Sequence, residues 1–285
     1  MGIYRGFDQT TLDREYSPSS RIGNVMPYIR RYAELSAEAR NQLYLRHNLA
    51  YGPSRGETLD FFPATRVGAP LHVFIHGGYW QELGKDDSSF AAPAFVASGA
   101  AFAALDYALA PDVSMDEIVR QNRSAIAWLY RHAYRLGFDG ERIHVSGHSA
   151  GGHLVGMLLA TDWERDYGVP ADVIRGATAI SGIFDLEPIR HTYVNAPLGM
   201  DAAAARRNSP IHQPPRHPTP LILCYGENET DEFKRQTRVY RTACSRAGVP
   251  TRFVAMPRRH HFDAVLELAD PSSDLAQAIF EQMEL

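Results

Sequence analysis

The pentapeptide Gly147-His148-Ser149-Ala150-Gly151 constrains this chain more than any other stretch. Before it, Glu141-Arg142-Ile143-His144-Val145-Ser146 has the alternation and β-branched content of a short buried strand. After it, residues 154–160 have the apolar density of a buried helix. A G-x-S-x-G between strand and helix predicts a sharp turn that only small residues fit, with Ser149 in a strained backbone and its hydroxyl above the sheet. The N-terminus of the helix behind it would supply free N–H groups and positive potential where an oxyanion forms.

Hydrophobic patterning places this turn within an alternating series. Strands are predicted at 57–62, 71–75, 100–106, 142–146, 173–181, 221–225 and 252–256, and helices at 27–50, 114–136, 231–247 and from 262 to the C-terminus. That β-α-β rhythm predicts an α/β fold, with a mostly parallel central sheet and helices on both faces. Residues 1–285 are expected to form one domain. Within it, residues 1–56 form an N-terminal extension packing on the core and carry no catalytic motif. Residues 182–220 are rich in proline and interrupt the rhythm, as a short irregular lid or binding insertion would.

Composition removes several function classes. With 45% hydrophobic and 22% charged residues, the chain has the make-up of a soluble globule with a sizeable core. A net charge of −4 gives no electrostatic reason to expect nucleic acid or an anionic membrane as partner. Two cysteines, Cys224 and Cys244, are too few for a disulfide framework and read as small buried apolar residues. No stretch has the length and apolarity of a membrane span or leader, so a cytoplasmic location is expected. Neither a metal nor a cofactor is expected.

The remaining chemistry-bearing residues fall where a serine nucleophile needs them. His76-Gly77-Gly78-Tyr79-Trp80 follows a predicted strand directly, and its glycine pair lets N–H groups turn toward an oxyanion. Gly77 and Gly78 are therefore candidates for the oxyanion hole, with the N–H of Ala150 as the second donor. His260 and His261 follow the last predicted strand, where the general base of such a fold sits. The loop after residues 221–225 offers Glu227, Glu229, Asp231 and Glu232 as the acid, with Glu229 and Asp231 close rivals by position. The order nucleophile, acid, histidine is that of hydrolases built on a G-x-S-x-G turn.

These blocks resemble the kynurenine formamidases (arylformamidases), a group of the α/β-hydrolase fold. The likeness runs through residues 31–33 and 50–53, His76-Gly77-Gly78-Tyr79-Trp80 with Gln81, Lys85 and Asp86, and Asp106-Tyr107-Ala108-Leu109-Ala110-Pro111. It continues through residues 147–153, 181–188 and 205–210 and ends at His261-Phe262, so it covers nearly the whole chain. The resemblance implies Ser149 as nucleophile and His261 as base. It aligns Glu229 with a position where the family usually has Asp. It also implies an aryl-binding pocket, for which Tyr79 and Trp80, with Phe184, His191, Tyr193 and Asn195 of the insertion, are the candidate walls. The implied reaction is hydrolysis of N-formyl-L-kynurenine or a related N-acyl aryl amine in tryptophan catabolism. A carboxylesterase for short-chain esters is the rival within enzymes, and a catalytically inactive binding protein is the rival outside them. The expected partner is a small molecule, an aryl formamide or ester; a homodimer is a candidate assembly.

Overall fold

The computed structural model describes residues 2–285. Eight strands form one sheet in the order β1-β2-β4-β3-β5-β6-β7-β8. They are β1 Arg46–Ala50, β2 Thr58–Phe62, β3 Ala69–Ile75, β4 Ala101–Leu105, β5 Phe138–His148, β6 Ile174–Ile180, β7 Leu221–Gly226 and β8 Thr251–Met256. β1, β2 and β4 pair antiparallel; every pair from β4 through β8 is parallel. The helices are α1 Gln9–Glu15, α2 Met26–Gln42, α3 Ala92–Ala97, α4 Met115–Leu136, α5 Ala150–Leu159, α6 Trp163–Tyr167, α7 Asn195–Leu198, α8 Ala202–Arg207, α9 Asp231–Arg246, α10 His261–Ala264 and α11 Asp274–Met283.

Strand alternation divides the core between the two sheet faces. Leu71, Val73 and Ile75 of β3 join one cluster with Ile118 and Leu129 of α4, Leu154 and Met157 of α5, and Phe233 and Tyr240 of α9. Phe74, between them in β3, joins the other with Phe95 of α3 and Ile279, Phe280 and Met283 of α11. Successive strand side chains point to opposite faces, so a strand buried on both sides reads as an unbroken apolar run. All seven residues of β3 are buried accordingly.

One stretch departs from the sequence reading. The helix expected over 27–50 stops at Gln42, and its last residues form β1, a register-shifted edge strand on β2. Arg46 is half-buried and His47 and Asn48 are exposed, and such an edge strand has no apolar alternation to reveal it. The first part of the insertion over 182–220 packs on the core, with Ile183, Phe184, Leu186 and Ile189 buried. Gln236 of α9 accepts from the N–H groups of Phe184 and Asp185, which gives this irregular backbone its partners.

Buried histidines make the fold acid-sensitive. Burial lowers His153 to about 4, although its bond to the Asn208 carbonyl works the other way. Burial, with Arg142 and Arg175 nearby, lowers His144 to about 4. The unfolded chain takes up these protons from about pH 6.5 downward while the folded chain refuses them, so stability falls as pH drops from about 6.5 toward 4. Between pH 7 and pH 5 each histidine is expected to remove about 2 kcal/mol from the unfolding free energy. Urea midpoints that do not move between those pH values would refute this.

Candidate active site

The site lies at the C-terminal ends of the parallel strands. β5 runs into α5 with one residue between them: Ser149, at φ 58° and ψ −114°. A serine at positive φ stores strain of order 1–3 kcal/mol, maintained because the flanking elements fix the turn. Glycines permit that turn by close backbone approach. A Cβ on Gly147 would sit 2.3 Å from the Gly151 carbonyl oxygen, and one on Gly151 would sit 2.0 Å from the Ile75 carbonyl oxygen. These obstacles are backbone atoms of packed elements, so Gly151→Ala is expected to destabilise the protein by about 3 kcal/mol. Thermal or urea unfolding at wild-type values would contradict that.

The His76-Gly77-Gly78 loop lies against the serine. A Cβ on Gly77 would come 2.9 Å from the His148 carbonyl oxygen and 3.2 Å from Ser149 Cβ. Gly78 takes φ +90°, and Tyr79 and Trp80 also have positive φ, so the chain turns tightly there. Among the described residues, no loop or cap hydrogen bond uses the N–H of Gly77, Gly78 or Ala150. Ala150 opens α5, where the first N–H groups have no partner within the helix. Below the loop, the His76 ring stacks on Tyr107 at 4.2 Å, and the Tyr107 hydroxyl donates to the His76 carbonyl at 3.0 Å.

His261, not His260, meets an acid of the loop after β7. Its Nδ1 lies 2.9 Å from Glu229 Oε2, and both residues are buried. The other carboxylate oxygen of Glu229 accepts from Ser181 Oγ at 2.5 Å and from the Gly226 N–H at 2.7 Å. Asp231 opens α9, exposed, and pairs with Lys234. His260 is the N-cap of α10, bonded reciprocally with Asp263. The loop path that suits a glutamate is thus a turn back onto Gly226, with Ser181 as a second anchor. Ser181 has φ 53° at the end of β6; in the sequence, Ser-Gly at the C-terminal end of a parallel strand was the available signal.

His148, between Gly147 and Ser149, carries no sequence mark of its role in the site. Its Nε2 is 2.9 Å from the His261 carbonyl oxygen, so it ties the Ser149 turn to the His261 loop. Burial holds it well below the usual histidine range, in the neutral form. With Nε2–H donating to that carbonyl, Nδ1 is the unprotonated nitrogen.

A cavity of about 480 Å³ opens over Ser149 and His261. Of the residues expected to bind substrate, Tyr79 and Tyr193 line it. Trp80, Phe184 and Asn195 do not. Trp80 is fully buried, its Nε1 donating to His153 Nδ1 at 3.2 Å. Phe184 stacks on Tyr240 at 4.0 Å, and Asn195 bonds the backbone of Arg190 and Met200. His191 pairs with Glu187. The wall that sequence reasoning missed comes from the N-terminal extension: Pro18, Ser19, Val25, Met26, Ile29 and Tyr32. That segment is tied down at several points. Tyr16 Oη donates to Glu232 at 2.7 Å, Thr230 Oγ1 donates to the Glu15 carbonyl at 2.6 Å, and Tyr32 Oη donates to the Phe262 carbonyl. The Tyr79 hydroxyl donates to the Tyr16 carbonyl at 2.5 Å, so the same segment braces the His76–Trp80 loop.

A sheet of this order with a strained serine at the end of β5 is that of an α/β-hydrolase, and the comparisons agree. Esterase B from Lactobacillus rhamnosis shares the fold, with a TM-score of 0.72 and 16% identity over 93% of this chain and 96% of its own. The family model BD-FAE matches residues 59–169. A provisionally described thioesterase from a Silicibacter species superposes with a TM-score of 0.84 and 33% identity over 94% of this chain and 98% of its own. The kynurenine formamidase of Salmo salar is 33% identical over 298 residues, covering 99% of each chain. The protein is a serine hydrolase of the α/β-hydrolase fold. Within that fold, the chain belongs to the kynurenine formamidase family.

Proposed function

We propose that the protein is an arylformamidase that hydrolyses N-formyl-L-kynurenine or a closely related N-acyl aryl amine through an acyl-enzyme on Ser149. The likeness to kynurenine formamidases along the full chain carries this reading. In it, His261 takes the Ser149 proton as the hydroxyl attacks the formyl carbon. The N–H of Ala150 and that of Gly77 or Gly78 hold the tetrahedral oxyanion. His261 then protonates the aniline nitrogen, which leaves, and a water deprotonated by His261 releases formate. Glu229 keeps the proton on Nδ1 of His261 and balances the imidazolium charge.

The cavity supports an aryl leaving group, since Tyr32, Tyr79, Tyr193 and Phe262 line it and its volume lies in the range of small-molecule sites. We read the chain as one hydrolase domain working on a small molecule in the cytoplasm. Its free, buried Cys224 and Cys244 suit a reducing compartment. The esterase neighbours favour a second reading, cleavage of short-chain esters at the same serine.

The deciding measurement is kcat/KM for N-formyl-L-kynurenine beside p-nitrophenyl acetate and butyrate, with Ser149→Ala as blank. A formamide value of about 10⁴ M⁻¹s⁻¹ or more, lost in the variant, is expected. Fast ester cleavage with negligible formate release would transfer the assignment to the carboxylesterases.

A further inference from the structure

The cavity over Ser149 is electrostatically one-sided. Apart from His148 and His261, Glu82 is the only acidic or basic side chain among the described residues lining it; no lysine or arginine does so. Neighbouring acids are already engaged: Glu229 with His261, Glu232 with Arg235, Asp231 with Lys234 and Asp86 with Arg40. Glu82 is exposed at the cavity mouth, and no ion pair or hydrogen bond within the described protein uses its carboxylate.

Its place in the chain relates it to the reacting serine. The N–H groups of Gln81 and Glu82 both donate to the Gly78 carbonyl, at 2.9 and 3.0 Å. Gly78 is so close to this turn that a Cβ on it would meet the Glu82 carbonyl oxygen at 2.2 Å. Gly77, the preceding residue, abuts Ser149. Glu82 is therefore carried on the same tight turn as the candidate oxyanion donors. A positive group held by Glu82 would lie at the mouth of the cavity that contains Ser149.

We propose that Glu82 is a specificity-determining residue that selects substrates bearing an ammonium group beyond the acyl bond and disfavours anionic ones. The inference rests on the serine-hydrolase reading and adds the substrate's charge to it. For an N-acyl aryl amine with an amino-acid side chain, Glu82 takes the ammonium, and the carboxylate points outward without a cationic partner.

The test uses phenyl acetates with an aminoethyl, an ethyl or a carboxyethyl arm, at low ionic strength. Each protein is scored by the ratio of its charged-substrate kcat/KM to its neutral one, so any general effect on the turn cancels. The wild type is expected to rank ammonium above neutral above carboxylate. Glu82→Gln should lower the ammonium-to-neutral ratio about fivefold, the scale of one partly solvated ion pair, and Glu82→Lys should reverse the ranking. Salt at 0.5 M should shrink the wild-type preference. Equal ratios in all three proteins, with hydrolysis abolished by Ser149→Ala, would overturn the assignment of Glu82 alone. Hydrolysis persisting in Ser149→Ala would overturn it together with the serine-hydrolase reading.

Discussion

Ser149→Ala is expected to lower kcat by about 10⁵-fold or more while leaving the fold intact. Without the hydroxyl no acyl-enzyme forms, and water must attack with only the oxyanion donors and His261 to assist. Alanine inherits the φ of 58° but removes no packing contact of consequence, so its unfolding curve should stay close to wild type. Ser149→Gly gives a sharper result, because glycine adopts that backbone without a Cβ penalty. It should be as inactive as the alanine variant and more stable than it by about 1 kcal/mol. Stopped turnover together with a raised urea midpoint would show that the turn stores strain for the nucleophile. A glycine variant less stable than alanine would show that it does not.

Glu229→Gln is expected to cost about 10⁴-fold in kcat. The Ser181 hydroxyl and the Gly226 N–H both donate to Oε1, so they orient the glutamine carbonyl oxygen toward themselves. Its amide nitrogen then faces His261 Nδ1, where Glu229 Oε2 lies 2.9 Å away. Two N–H donors cannot share that contact. The imidazole must move its proton to Nε2, which removes the lone pair that would accept the Ser149 proton. A Glu229→Gln enzyme within tenfold of wild type would refute the role of Glu229. Glu229→Asp tests the anchoring: the shorter side chain cannot hold Ser181, Gly226 and His261 together, so a loss is expected despite the retained charge.

Local patterns made some of this legible. The strand before the serine, the small residues in the turn and the apolar helix after it each restrict the backbone over a few residues, and together they specify β5, Ser149 and α5. The glycine pair after β3 is of the same kind. The choice between Glu229 and Asp231 was not local, since both lie on one loop two residues apart. Ser181, on β6, and the fold-back of Glu229 onto Gly226 distinguish them, and neither contact can be seen along the chain.

Short-range sequence therefore determined the class of fold, the strained turn at Ser149 and the glycine loop after β3, because strand period, turn sterics and helix apolarity act within about ten residues. Tertiary structure alone decided which walls enclose the cavity over Ser149. It buried Trp80 and Phe184, which their places beside the glycine loop and in the insertion had made candidate binding residues, and placed an N-terminal segment without any chemical motif across the serine. Aromatic side chains carry no local mark of whether they will fill a core or line a cavity. That depends on which distant elements reach them first: His153 for Trp80, Tyr240 for Phe184, and Tyr16 for the Tyr79 that remains at the site.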